Sequence, residues 1–201
     1  MSTNKIQLGP NDILFPVPAA LIVSGTKNVY NIITIAWIGI MGSKPPIIAI
    51  SLEETRYSLN FIRKSKEFTV NIPSANYFVE TDYCGIISGK KRDKFRDTKF
   101  TPLKSNKVNP PIIKECPFNI ECKVIKEIDL GYKWIVIFGE IVETHIDNDK
   151  ITFSDKKFKI DISKVNPLVY CATIREYWEL GKKLGNGYSC GNKIIKEDQG
   201  I

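Results

Sequence analysis

At 201 residues with 43% apolar and 25% charged positions, the chain has the make-up of one ordinary folded domain spanning 1–201, not of a disordered polyelectrolyte. Its net charge of +7 comes from Lys and Arg spread along the chain, with one tight run, GKKRDKF at 89–95, and no helix-turn-helix, zinc-finger or RNP pattern behind it, so nucleic acid is not an expected partner. The longest apolar run, Ile35 to Met41, is far below the ~18 residues of a membrane span, and the first residues lack a charged-then-apolar leader, so a cytoplasmic location without a membrane partner is expected.

Taken in chain order, AALIVSG (19–25) is a short apolar run closed by a glycine, and TKNV (26–29) reads as the turn into a strand over 30–40, YNIITIAWIGI. Side chains alternate along a strand, so Asn31, Ile33, Ile35 and Trp37 share one face and Ile32, Thr34 and Ala36 the other. Asn31 and Thr34 thus start on opposite faces unless a bulge or bend brings them together. Pro45 and Pro46 cannot donate to a ladder and fit the entrance of the next strand, PPIIAISL (45–52). Thr55 is expected to cap a helix over RYSLNFIRKS, with Leu59 and Ile62 spaced for one buried face. EFTVNIP (67–73) returns as a strand.

Residues 74–111 are less regular, with SGKKRDKF in a loop or short helix and NPP at 109–111 as a stop. In PFNIECKVIKEI, Phe118, Ile120, Cys122 and Val124 fall on one face and Asn119, Glu121 and Lys123 on the other, the pattern of a half-exposed antiparallel strand. The next strand, YKWIVIFGEIVETHI, is apolar on both faces from Trp134 to Phe138, so both need a cover: the barrel interior on one side, a helix or a partner subunit on the other. Many short strands with turn signals and few helices predict a mainly β fold, an antiparallel barrel. There is no GxGxxG and no GxxxxGK[ST], so a bound phosphate would not sit on a Rossmann or P-loop turn.

The five cysteines form no CxxC, which argues against a disulfide framework and a zinc site; reduced, mostly buried thiols are expected. The single histidine, His145, cannot build a multi-His metal centre and has no GxSxG nucleophile elbow beside it; it reads as a surface or strand-end residue. Neither a metal ligand set nor a catalytic residue is assigned. The chemistry concentrates instead between Asn31 and Ser58. Ser51 and Leu52 end a strand and offer backbone groups to a heterocycle edge. Arg56 and Ser58 lie where a helix begins, and a helix N-terminus attracts phosphate. Edge donors, an apolar face and a cationic clamp are what a planar, phosphorylated cofactor needs.

At this point a resemblance can be stated. NIITIAW, SKPPIIAISL and RYS, followed by FTVNIP, DYCGIISGKKRDKF and a C-terminal YWELGKKLGNGYSCG, resemble the flavoredoxin branch of the flavin reductase-like family from about Phe15 to Gly191. The resemblance implies an FMN-binding split β-barrel, a homodimer with each FMN near the subunit interface. It places Asn31, Thr34 and Trp37 on the first flavin-binding strand, Ser51 and Leu52 beside the isoalloxazine edge, and Arg56 and Ser58 near the phosphate. Ser88, Gly89, Lys94 and Phe95 match the family's SG…DKF element, which closes over the flavin, with Lys94 beside the phosphate. Flavin chemistry asks little of side chains beyond orientation and electronic tuning, which suits the missing catalytic residues. Two functions follow: a reductase using NADH or NADPH and passing electrons to flavin or ferric iron, or a non-enzymatic electron carrier serving redox partner proteins.

Overall fold

The computed structural model describes residues 4–26, 29–154, 157–192 and 194, so Lys27 and Asn28 of the expected first turn lie outside it. Its first half runs β1 (Val17–Pro18), β2 (Ala20–Thr26), β3 (Val29–Ile35), β4 (Ile38–Ser43), β5 (Pro46–Glu53), α1 (Tyr57–Ser65), β6 (Glu67–Ile72), α2 (Phe78–Ile86) and α3 (Lys94–Thr98). The second half adds β7 (Pro102–Leu103), β8 (Ile112–Ile113), β9 (Phe118–Asp129), β10 (Trp134–Ile146), β11 (Ile151–Ser154), β12 (Lys157–Ile160), α4 (Ile162–Val165), β13 (Val169–Cys171) and β14 (Glu176–Trp178).

Seven strands form one antiparallel sheet in the order β3-β2-β6-β9-β10-β5-β4. Its two edge strands, β3 and β4, are joined by only Ala36 and Trp37. Strands that close in sequence cannot stand a full sheet-width apart, so the sheet must curl until its edges meet. The result is the antiparallel barrel that the strand pattern predicts, of the split kind that the resemblance implies. The β4–β5 ladder continues into that linker, where the backbone N–H of Ser51 donates to the carbonyl of Trp37 at 2.8 Å. The expected single strand over 30–40 is therefore two strands, and Trp37 lies in the bend between them, not on the face of Asn31, Ile33 and Ile35.

The barrel interior is apolar, with Ile22, Ile50, Leu52, Phe68, Val70, Ile135 and Ile137 fully or almost fully buried. Leu59 and Ile62 of α1, both 0% exposed, plug it as their spacing predicts. At roughly 1.5–3 kcal/mol for each fully buried aliphatic side chain, this plug fixes where the helix sits. Thr55 does not cap α1. The capping position is Arg56, whose backbone is extended and whose side chain makes no capping bond, so the N–H groups of the first turn keep no side-chain partner. On the other face of β2, Leu21 and Val23 pack with Ile32, Cys84 of α2, Phe100, Ile113 and Cys116. That second layer needs α2, a helix inside the stretch the sequence leaves irregular.

The alternation in β9 misleads in one respect. Asn119 and Glu121, on the expected solvent face, are buried at 6% and 0% exposure. Residues 105–113 cover them with backbone, and the polar atoms are satisfied there. Glu121 accepts from the N–H groups of Asn106 (2.7 Å), Lys107 (2.6 Å) and Val108 (3.1 Å). His145, near the end of β10, contacts the same carboxylate through Nε2 at 2.6 Å. Asn119 and Asn71 bond one another at 2.8 Å, and Asn71 also accepts from the N–H of Ile113. Cys84, Cys116 and Cys122 are buried free thiols, Cys171 is half-buried and Cys190 exposed. In β10, Ile135 and Ile137 point into the core, whereas Trp134, Val136 and Phe138 on the outer face are only half-buried. Among the described residues no helix is long and apolar enough to cross a membrane.

Candidate functional site

Where β3, β5, α1 and the α2–α3 loop converge, a groove of two joined chambers opens. The main chamber, about 410 Å³, has Ile33, Ile35 and Leu52 as its apolar floor, with Trp37 and Trp134 on its walls. Its size falls in the range of small-molecule sites. The smaller chamber, about 170 Å³, is lined by Asn31, Arg56, Ser88, Gly89 and Lys94. Ile33, Glu53, Arg56 and Gly85 border both, so the two are one groove with an aromatic body and a cationic end.

The cationic end is built around Lys94. Asp93 caps α3 by accepting from the N–H of Arg96, and the first helical residue, Lys94, then turns inward. Its side chain is 4% exposed, and Nζ donates to the carbonyls of Ile32 and Cys84, each at 2.6 Å. The second of these is near the C-terminal end of α2, where a cation is favoured. An ammonium carries three N–H donors, so one is left for the chamber. Burial pulls the Lys94 pKa down to about 8, and Arg56 adds repulsion. No carboxylate balances it: the ion pairs among the described residues do not include Lys94. A buried, uncompensated cation favours an anion beside it. Burial also pushes the neighbouring Cys84 thiol up to about 12, which keeps it protonated and inert.

Arg56 plays a lesser part than its position suggests. Its side chain is 46% exposed and pairs with Glu53 at 3.3 Å, so water and a carboxylate both screen its charge. Gly89 is required sterically, since a Cβ there would stand 1.8 Å from Asn31 Oδ1. The loop backbone presses on the Asn31 amide, whose Nδ2 donates to Ser58 Oγ at 2.7 Å. The loop itself is held from behind, where Arg92 and Tyr83 both donate to Asp97, at 2.8 and 2.6 Å. The Arg92 guanidinium, with Tyr83, holds the Asp97 carboxyl well below the usual carboxylate range.

Of the residues expected from the sequence, Asn31, Thr34, Trp37, Ser51, Leu52, Arg56, Ser88, Gly89 and Lys94 line the groove. Two do not. Ser58 is fully buried beneath Asn31, holding its amide, and its carbonyl accepts from Ser24 Oγ. Phe95 packs against the second apolar layer with Cys84 and Phe100. Ser51 reaches the chamber, but its N–H is engaged by Trp37 and is not an edge donor for a heterocycle. Asn31 and Thr34 reach different chambers, the cationic and the main one. The far wall, Asp12, Tyr170 and Arg175, carries no local sequence signal, because residues distant in the chain meet there only after β13 pairs with β1 and β14.

The fold is shared with known proteins. Residues 13–177 match the family described as the flavin reductase like domain. Flavoredoxin of Desulfovibrio vulgaris (Miyazaki F) is 34% identical and superposes with a TM-score of 0.85 over 93% of this chain and 99% of that one. A flavoredoxin from Methanosarcina acetivorans is 26% identical, with a TM-score of 0.86 over 96% of this chain and 100% of its own. An FMN-binding protein from Thermus thermophilus, at 15% identity, covers 92% of this chain and 99% of its own with a TM-score of 0.73 and shares the fold. The chain belongs to the flavin reductase-like family.

Proposed function

We propose that the groove binds FMN and that the protein is a flavin-dependent oxidoreductase, drawing electrons from NADH or NADPH and passing them to free flavin or ferric iron. The observation that carries this reading is the join of an aromatic, apolar chamber to a small chamber with a buried ammonium. FMN has that same division, a flat ring system at one end and a single phosphate at the other. The residues present fit it. Lys94 directs its remaining N–H and its net charge at a phosphate, Arg56 and the first turn of α1 add positive potential, and the Ser88 hydroxyl is exposed beside them. Trp37, Trp134, Leu52 and Ile33 flank the ring system and exclude water from its faces. The small chamber suits one phosphate and offers no glycine-rich turn for a pyrophosphate, which favours FMN over FAD.

When bound, FMN supplies the redox chemistry, accepting a hydride from a dihydronicotinamide. The protein's residues orient it and hold its phosphate. Two donors of the groove are engaged elsewhere: Thr34 donates to the carbonyl of Thr81, and Lys94 is occupied at the far end. A second reading, a non-enzymatic carrier that exchanges electrons with partner proteins, is favoured by the two flavoredoxin likenesses. The half-buried Trp134, Val136 and Phe138 on β10 lie next to the groove wall, which supports a homodimer whose second copy covers that face. Purified protein should be yellow and release FMN, identified by mass, on heating. Bleaching of its visible spectrum by NADH or NADPH, with steady turnover in the presence of ferric iron or free flavin, supports the reductase. Bleaching by neither nucleotide sinks it in favour of the carrier.

A further inference from the structure

Away from the groove described above, the chain after β10 frames a second and larger groove of about 900 Å³. β11 and β12 pair only with one another, Ile151 opposite Ile160 and Phe153 opposite Phe158, and join no other sheet. Side chains alternate along a strand, so these four share one face of the hairpin. Ile151 and Ile160 at its base are half-buried, whereas Phe153 and Phe158 are 75% and 65% exposed. Two strands alone are only marginally stable in water, and the base of this hairpin is braced by its neighbours. The N–H of Asp161 donates to the carbonyl of Lys150 at 2.8 Å, and the Asp161 carboxylate caps α4 by accepting from the N–H of Ser163 at 3.1 Å. Ile162 of α4, with Leu180 and Leu184 of the segment after β14, completes the apolar lining, and all three are exposed.

The rim of this groove is cationic. Lys159, Lys164, Lys182 and Lys183 line it, and none of them forms an ion pair among the described residues. Lys164 reaches only the carbonyl of Asp149, at 3.3 Å. The two carboxylates of the lining are already engaged: Asp149 pairs with Lys150, and Asp161 holds the first turn of α4. Lysine stems lie along apolar surface while their ammonium groups stay in water, so the rim widens the apolar floor as well as charging its edge. Apolar surface rimmed in this way is what an interaction site presents. No residue lines both this groove and the one that holds Lys94.

We infer that this groove docks an acidic amphipathic segment of a partner protein, with its apolar side on Ile151, Ile160, Ile162 and Leu180 and its carboxylates on the lysine rim. An amphipathic helix laid into an apolar groove is a recurring mode of peptide recognition. The inference does not depend on the redox reading above. Charge selects the occupant. Several separated cations call for several separated anions, whereas a fatty acid carries a single carboxylate. A second copy of this chain carries a net charge of +7 and would set cations against cations. An anionic bilayer is flat and would leave the concave floor empty. Single-stranded nucleic acid is held by bases stacked on aromatic rings, but this floor is aliphatic, and Phe153 and Phe158 lie beyond it toward the hairpin tip.

The test is fluorescence anisotropy of the full-length protein with a fluorescein-labelled peptide of leucine and glutamate, patterned as an amphipathic helix. Its lysine-for-glutamate counterpart is the control. The acidic peptide should bind and the basic one should not, and binding should weaken severalfold as salt rises to physiological ionic strength. The double variant Lys182→Glu, Lys183→Glu and the single variant Leu180→Ser should each weaken it about tenfold. All three side chains are exposed, so the fold is retained and the melting temperature should stay near that of wild type. Acetic anhydride labelling read by mass spectrometry locates the contact: bound peptide should protect Lys159, Lys182 and Lys183, and leave the exposed Lys66 and Lys99 as reactive as before. Equal binding of the two peptides, binding of neither, or wild-type affinity in both variants would overturn the inference. Displacement of the acidic peptide by phosphatidylserine vesicles, oligothymidylate or sodium oleate, each binding less well to the same variants, would overturn it by giving the groove to a membrane, a nucleic acid or a fatty acid. A changed oligomeric state in Leu180→Ser would overturn it by giving the groove to a second copy.

Discussion

Replacing Lys94 by Met tests the cationic end most directly, because the side chain keeps its length and loses its charge. Two effects act on the free protein, and they oppose each other. The lowering of the Lys94 pKa from 10.5 to about 8 corresponds to about 3 kcal/mol of unfavourable burial at about 1.4 kcal/mol per pH unit, and the variant is relieved of it. Against this, the carbonyls of Ile32 and Cys84 lose their shared donor, at roughly 1–3 kcal/mol each. The terms nearly cancel, so the melting temperature of the apoprotein should move by only a few degrees. Binding behaves differently. A bound phosphate dianion would lose a charge-assisted contact in a dry site, worth about 3 kcal/mol, so the FMN dissociation constant should rise about 100-fold. Riboflavin lacks the phosphate and should bind within about twofold of wild type. Quenching of each flavin's own fluorescence measures both. The pH dependence adds a sign. Free Lys94 is neutral above about pH 8, so FMN affinity should fall as pH rises past that value, and the Met variant should lose this slope. The lowered folded-state pKa also means that the unfolded chain holds the extra proton between about 8 and 10.5, so this group's destabilisation of the apoprotein fades across that window. Equal losses for FMN and riboflavin would refute the reasoning and make Lys94 a strut of the pocket.

Arg56→Ala should weaken FMN by about 1 kcal/mol, well below the Lys94 effect, since its side chain is 46% exposed and already paired with Glu53; riboflavin serves again as the control. Glu121→Gln should destabilise the fold by about 2–4 kcal/mol, lowering the melting temperature by about 5–10 °C, because an amide has one acceptor oxygen to offer three N–H groups and the His145 ring. Burial pushes the Glu121 carboxyl up, but those hydrogen bonds outweigh it and hold it below its ordinary value. Its contribution is therefore present above the unfolded pKa near 4.5 and lost as pH falls through the folded one, an acid limb that the Gln variant should lack. Phe138→Glu on the outer face of β10 should convert a dimer to monomer by light scattering with little loss of monomer stability; a wild-type monomer at micromolar concentration would end that line.

Much of the barrel is legible in the sequence because its strands are short, alternating and punctuated. AALIVSG, PPIIAISL and EFTVNIP all fold where their patterns place them, and Leu59 and Ile62 plug the interior as their spacing requires. The break at Ala36–Trp37 is not legible, since an apolar run carries no mark of where a closing sheet must turn. Nor is the burial of Asn119 and Glu121: a polar face reads as solvated until the irregular segment 105–113, just upstream, is seen to fold back over it and supply its hydrogen bonds. Lys94 sits in the element that the resemblance identifies, but its burial depends on two carbonyls from distant residues, which no spacing announces. The far wall of the groove is the least legible part, being assembled from chain segments near both ends.

The polar layer between β6, β9 and residues 105–113 also bears on which arrangements of the sheet are possible at all. Apolar faces alone discriminate weakly between pairings displaced by two residues, because such a slip keeps every side chain on its own side. Here Thr69 donates to the carbonyl of Pro111, Asn71 to that of Leu21, and Asn119 to that of Ile113, while Glu121 gathers three consecutive N–H groups. A displacement of β9 by two residues along β6 would bring the carboxylate to where an amide now lies and leave a buried charge facing carbonyl oxygens. Mispaired sheets are thus penalised by several kcal/mol while the native one leaves no buried side-chain polar atom without a partner among the described residues. The barrel that holds the groove has, in effect, a single pairing in which it can close dry.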